Sequence, residues 1–225
     1  MTAEPVDDPQ LPDVLPTQGR VLAKAATVYD AVQPLITFGQ ERRLNTWVAD
    51  KLDLGDGSRA LDVGCGTGLL TVAIAERHPS CEVVGIDASK PMLRVARRKR
   101  SRPNCSYKQA VAEHLPFDDE FFDVVTSALF FHHVNREYKA RSLNEALRVL
   151  KPNGRLLTAD MGRPYTFLGW AVSHAAWILL RQPEIKENID GVLGELVTAS
   201  GFQDFAEVGR FSGYITVFSA RKGAV

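Results

Sequence analysis

The stretch Ala60-Leu61-Asp62-Val63-Gly64-Cys65-Gly66-Thr67-Gly68 runs from aliphatic residues into three glycines at alternate positions. Arg59 to Val63 reads as a strand, the glycines as a tight turn, and Gly68 to Arg77 as the helix that follows. Glycine suits such a turn because a Cβ would oppose a positive φ or fill the space that a ligand needs. The spacing is G-x-G-x-G. In the dinucleotide pattern G-x-G-x-x-G the third glycine would fall on Leu69.

Outward from this turn, short β-branched runs alternate with helical patterns, the form taken by successive βαβ units and a largely parallel sheet. Glu82 to Asp87 is the second strand, followed by Ser89 as a helix N-cap, Pro91 in the first turn and a helix to about Arg100. Cys105 to Ala110 gives a third strand and Phe122 to Ala128 a fourth. A helix from about Glu137 to Val149 leads through Lys151-Pro152-Asn153-Gly154 into a fifth strand ending at Asp160. An apolar helical stretch comes next, then one amphipathic helix carrying Ile189, Val192, Leu193, Leu196 and Val197, stopped by Gly201. Asp204 to Arg210 and Tyr214 to Arg221 read as a terminal β-hairpin. The expected fold class is therefore α/β, Rossmann-like, with a mostly parallel seven-stranded sheet, helices on both faces and a C-terminal hairpin.

Composition narrows the role. The 27 basic and 27 acidic residues cancel, which gives no reason to expect nucleic acid as a partner. The basic run Arg94, Arg97, Arg98, Lys99, Arg100 and Arg102 reads as a solvated helix end favoured by the helix dipole. Cys65, Cys81 and Cys105 form no C-x-x-C pair, so neither a disulfide framework nor a metal site is expected, and a cytoplasmic setting fits. Residues 1–19 lack the basic-then-apolar order of a signal peptide and read as a mobile tail. Residues 20–225 form the expected single domain, with 20–57 as a helical cover and 161–183 as an apolar lid. Tyr165 to Leu180 is too short and too interrupted to span a bilayer, although peripheral membrane contact stays open.

The charge beside the glycine turn bears on its ligand. Asp62 would repel a pyrophosphate, whereas S-adenosylmethionine has no phosphate and carries a sulfonium cation and an ammonium group, so a carboxylate there favours it. Asp87 ends the second strand 19 residues beyond Gly68, where it can accept hydrogen bonds from both ribose hydroxyls of either adenosine cofactor.

These motifs, with Val84-Gly85-Ile86-Asp87-Ala88-Ser89, Ala112-Glu113-His114-Leu115-Pro116-Phe117, Phe122-Asp123-Val124-Val125 and Ala146-Leu147-Arg148-Val149-Leu150-Lys151-Pro152-Asn153-Gly154, resemble the class I S-adenosylmethionine-dependent methyltransferases. Within them the chain is similar to the methyltransferase type 11 group that includes the ubiquinone and menaquinone C-methyltransferases. The resemblance implies that Asp62, Gly64, Cys65, Gly66 and Gly68 surround the methionine end and that Asp87 holds the ribose. It also implies that Ala88, Met92, Ala112 and Glu113 border the adenine, and that Ser127 and Ala128 close the pocket below the sulfur. Two departures stand out. Many relatives have Asp where this chain has Val111, and quinone methyltransferases tend to have Arg-Asn where it has His132-His133.

Methyl transfer from a sulfonium needs alignment, a dry pocket, and a base if the acceptor carries a proton. His132 and His133, in the loop after the fourth strand, are the candidate bases, the other reading being a structural hydrogen bond. Tyr29, in a segment similar to the active-site cover of quinone methyltransferases, either approaches the methyl donor or packs on the sheet. The aromatic and aliphatic residues from Phe167 to Leu180 suggest a small hydrophobic acceptor, quinol-like, phenol-like or lipid-like, unless they form a plain core helix. Phospholipid N-methylation, small-molecule O- or S-methylation, a non-catalytic cofactor-binding protein and an NAD-dependent dehydrogenase remain as alternatives.

Overall fold

A computed structural model of the protein describes residues 12–17 and 39–224. Seven strands form one sheet: β1 (Arg59–Val63), β2 (Glu82–Asp87), β3 (Cys105–Gln109), β4 (Phe122–Ala128), β5 (Leu150–Met161), β6 (Gln203–Phe211) and β7 (Ile215–Arg221). Their order is β3-β2-β1-β4-β5-β7-β6. The first five run parallel, and β7 lies antiparallel to both β5 and β6. Strand order reverses about β1, which pairs with β2 on one side and β4 on the other. Such a switch point opens a crevice at the carboxyl ends of the strands.

Period-two alternation divides the strand residues between two apolar layers. Leu61, Val84, Val125 and Leu156 face α4 (Arg136–Val149) and α7 (Val192–Ala199) through Leu143, Ala146, Leu193 and Val197. Ala60, Val83, Val124 and Leu157 share the opposite layer with α1 (Glu41–Lys51), α2 (Leu69–Arg77) and α6 (Pro183–Ile189) through Leu44, Val48, Ile74, Ile185 and Ile189. On the β3 side, α3 (Lys90–Arg100) packs Leu93 and Ala96 on Tyr107. Ser89 caps α3 by accepting from the Met92 amide, and Asn135 caps α4 by accepting from Tyr138 N at 3.0 Å.

Four expectations change on contact with the structure. The fifth strand starts at Leu150 and includes the Lys-Pro-Asn-Gly stretch, which a bulge between Phe122 and Val124 accommodates. The expected single amphipathic helix is two, α6 and α7, broken by Asp190 and by Gly191 at φ 92°. Arg97 and Arg100 of the basic run fold back to donate to the Tyr107 and Thr67 carbonyls, so the run is not simply a solvated face. Residues 12–17 of the expected mobile tail lie against the loops after β2 and β3, with Val14 bridged to Ser89.

The apolar stretch forms α5 (Phe167–Leu180), capped by Thr166. Val172, Ala176 and Trp177 pack inward on the second apolar layer, while Phe167 and Leu179 are 85% and 82% exposed. Among the described residues no helix is long and apolar enough to cross a membrane.

Leu157 has no exposed surface and lies mid-sheet in the layer shared with α1, α2 and α6. Leu157→Ala should cost about 3 kcal/mol, the transfer term plus the cavity that a rigid sheet cannot close. The check is urea denaturation, where an unchanged midpoint would contradict this placement of the core.

Candidate active site

The glycine turn sits in the switch-point crevice and needs its residue type for two reasons. Gly64, Gly66 and Gly68 all have positive φ, at 68°, 53° and 84°. A Cβ at Gly64 would strike the Phe130 ring and one at Gly68 the Tyr107 ring, but at Gly66 it would meet nothing within 4 Å. The space beside Gly66 is a cavity lined by Asp62, Gly64, Cys65, Gly66, Thr67, Leu69, Leu70, Ala128 and Leu129, with Glu41 and Asn45 from α1. Neither α1 residue was singled out in the sequence, because only the fold brings that helix over the turn.

Two carboxylates hold the turn. Asp62 is 1% exposed and accepts from Thr71 Oγ1 at 2.6 Å. Burial pushes its pKa up to about 7 against those Thr71 hydrogen bonds, with Asp87 adding a smaller rise. Asp87 accepts from Gly66 N at 2.9 Å through one oxygen and from Ser89 N at 2.8 Å through the other. Burial raises its pKa as well, and the two amides work against the rise. Each Asp87 oxygen retains a second lone pair for a further donor. The Cys65 thiol is held well up by burial and by both carboxylates, which leaves it a protonated lining group.

Of the other expected cofactor residues, Ala128 lines the cavity, whereas Gly68, Ala88, Met92, Ala112, Glu113 and Ser127 lie outside its lining. Ala88 follows Asp87, and its carbonyl accepts from Leu15 N and Gln109 Nε2. Met92 and Ala112 are buried, and Glu113 accepts from Thr17 Oγ1 at 2.7 Å. Ser127 is 1% exposed, and its Oγ is a buried hydroxyl with no hydrogen-bond partner among the described residues. The cavity thus offers the buried Asp62 carboxylate and space over Gly66, with Asp87 bound to the Gly66 amide behind the turn. That donor set fits a cationic amino-acid ligand joined to a ribose.

A second polar centre lies just past Leu129. The His132 Nδ1 is 2.8 Å from Asp160 Oδ1, with the ring 13% exposed and Asp160 wholly buried. A carboxylate only accepts, so Nδ1 carries the proton and Nε2 is left as the acceptor. Asp160 also takes the amides of Phe131 and Met161 and the Asn188 side chain at 3.3 Å. The His133 ring lies tilted against that of His132, with centroids 3.9 Å apart and planes at 45°. Buried Lys139 donates to Val134 O and Glu187, tying this loop to α6. Sequence reading took Asp160 only as a strand end, although an acid at the carboxyl end of a parallel strand was a usable signal. Asn188 gave none. Tyr29 lies outside the described residues, and among those residues no cluster suited to a metal ion occurs.

A cation entering the cavity would favour ionised Asp62, so its binding should release a proton below about pH 7 and none well above it. Affinity for S-adenosylhomocysteine, whose ammonium remains, should fall as pH drops from 8 to 6, and Asp62→Asn should flatten that dependence. Calorimetry in buffers of different ionisation heat measures the released proton; a pH-independent affinity would sink this role. Gly66→Val should abolish binding in a folded protein, since the side chain would enter the open space beside the turn.

Comparison with known proteins bears on this arrangement. A family described as Methyltransferase domain matches residues 61–158. The chain is 40% identical over 149 residues to a ubiquinone/menaquinone biosynthesis C-methyltransferase of Idiomarina loihiensis, covering 64% of this chain and 59% of that protein. It is 36% identical over 160 residues to a demethylmenaquinone methyltransferase of Renibacterium salmoninarum, covering 71% and 65%. The chain therefore spans about three fifths of the length of these curated relatives. Among solved structures, the [4+2]-cyclase SpnF has a TM-score of 0.67 at 21% identity, covering 92% of this chain and 99% of that one. Phosphoethanolamine N-methyltransferase 2 of Haemonchus contortus, bound to S-adenosylmethionine, has a TM-score of 0.63 at 19% identity, covering 80% and 52%. These two likenesses establish the fold.

Proposed function

We propose that this chain, which belongs to the class I S-adenosylmethionine-dependent methyltransferases, methylates a small hydrophobic acceptor of the quinol or phenol type. The observation that carries the reaction is the His132–Asp160 pair, set on the loop that continues from the cavity residues Ala128 and Leu129. The names of the relatives at 36–40% identity support a quinol-like acceptor.

Bound S-adenosylmethionine supplies an electrophilic methyl carbon on a sulfonium. Asp62, Gly64, Cys65, Gly66 and Gly68 would surround its methionine end, Asp87 would accept from the ribose hydroxyls, and Ala88, Met92, Ala112 and Glu113 would border the adenine. Ser127 and Ala128 would lie below the sulfur. His132 would take the acceptor's proton at Nε2 as the new bond to carbon or oxygen forms, and Asp160 would hold the ring and favour the imidazolium that results. His133 would pack its ring against that of His132. The inner side of α5, through Val172, Ala176 and Trp177, would help to keep water from the acceptor.

The test is a panel of quinols, phenols, thiols and phosphoethanolamine scored by formation of S-adenosylhomocysteine. Turnover is expected with quinols or phenols; turnover with phosphoethanolamine alone would replace the acceptor class, and none with any would leave a cofactor-binding protein. With the active acceptor, His132→Ala should lower kcat about 100-fold, the usual size of general-base catalysis, with cofactor affinity preserved. Asp160→Asn should lower kcat in the same direction, since the ring would lose the carboxylate that orients it. Near-normal kcat in His132→Ala would remove it as the base.

A further inference from the structure

Residues 12–17 cross the carboxyl ends of β2 and β3. The Pro12 carbonyl accepts from Gln109 Nε2 at 3.0 Å, at the end of β3. Asp13 O accepts from Lys90 N at 2.8 Å and Leu15 N donates to Ala88 O at 3.0 Å, so Val14 pairs antiparallel with Ser89. Thr17 Oγ1 then donates to Glu113 Oε1 at 2.7 Å, in the turn after β3. Gln109 Nε2 also reaches Ala88 O at 2.9 Å, which joins this short strap and both loops in one hydrogen-bonded network.

The position of the strap matters because of what lies below it. Asp87, one residue before Ala88, binds the glycine turn through Gly66 N. In a doubly wound sheet a ligand sits outside the carboxyl ends of the strands, with its ribose on the acid that ends β2 and its base extending toward the next strand. The strap spans that distance, from Ala88 and Ser89 to Glu113. Its own sequence favours the extended form: Pro12 and Pro16 fix φ, and Pro16 has no N–H to satisfy between the anchored residues Leu15 and Thr17. Prolines at compatible positions also lower the entropy lost on ordering.

We infer that residues 12–17 form the outer wall of the nucleoside half of the cofactor site, and that Thr17 is a positioning residue for the Glu113 carboxylate. The strap slows the escape of the nucleoside and holds the β2 and β3 loops in their binding geometry. This inference rests on the cofactor site and not on the acceptor or on His132.

The experiment uses the full chain with Leu15→Pro, which keeps the extended backbone but removes the donor to Ala88, and separately Thr17→Val. Affinities are measured by calorimetry for S-adenosylhomocysteine and for 5′-methylthioadenosine, which lacks the amino-acid end. Leu15→Pro should weaken both ligands about tenfold, the size of one lost hydrogen bond with the contacts it orders, with faster dissociation and an unchanged ligand-free Tm. Thr17→Val should weaken both to a smaller and equal extent, and it decides the matter if Leu15→Pro destabilises the fold. Unchanged or tighter binding of both ligands in Thr17→Val would overturn the inference, as would a loss confined to S-adenosylhomocysteine, which would place the effect at the methionine end.

Discussion

The glycine turn keeps its shape because Asp87 accepts from Gly66 on one side and from Ser89 on the other. One carboxylate thereby fixes the loop after β1 to the loop after β2, and three residues with positive φ can be held in a conformation that an unsupported chain would not keep. Asp62 supports the same turn from beneath through Thr71. Burial opposes the ionisation of Asp62 and the Asp87 charge adds a smaller opposition, so the Asp62 carboxyl is held up to about 7. A ligand that brings positive charge relieves the conflict, whereas one that brings phosphate aggravates it. The electrostatic preference therefore follows from the way the turn is built.

The same device recurs on the other side of the switch point. Asp160, near the carboxyl end of β5, gathers the amides of Phe131 and Met161, the Asn188 side chain and the His132 ring. It fixes the loop after β4 much as Asp87 fixes the loop after β1. The sheet edge thus presents two rigid loops, one bordering the cavity and the other carrying an oriented imidazole. Phe130 joins them physically, since its ring occupies the space that a Cβ at Gly64 would take. Preorganisation of this kind lets a proton acceptor act without first being moved into place.

Much of this was legible in the sequence where the signal was local. The short apolar runs of β1 and β2, the glycine spacing, and the Ser89 cap with Pro91 behind it depend on neighbours in the chain, and each stands at the residues that the sequence indicates. What the sequence hid depends on pairings across long separations. Asp160 looks like a strand end until β5 brings it beside His132, 28 residues away. Asn188 belongs to a short helix that exists because Gly191 breaks what reads as one amphipathic run. The strap residues look like a tail because their partners, Ala88, Gln109 and Glu113, come 73 to 97 residues later.

The apolar helix α5 shows why a sequence stripe could be read both as core and as lid. Val172, Ala176 and Trp177 join the packed layer, whereas Phe167, Leu168, Ile178 and Leu179 remain exposed. Helical period puts Phe167 and Ile178 on the side away from Ala176, whereas Leu168 and Leu179 fall next to Val172 at the border of the packed side. The first turn is anchored closely: Tyr165 N donates to Gly213 O at 3.0 Å, Gly213 N donates back to the Tyr165 hydroxyl, and a Cβ on Gly169 would collide with the Gly213 backbone. Only a glycine allows that approach. A helix held in this way keeps its outer apolar residues exposed as part of the packed fold.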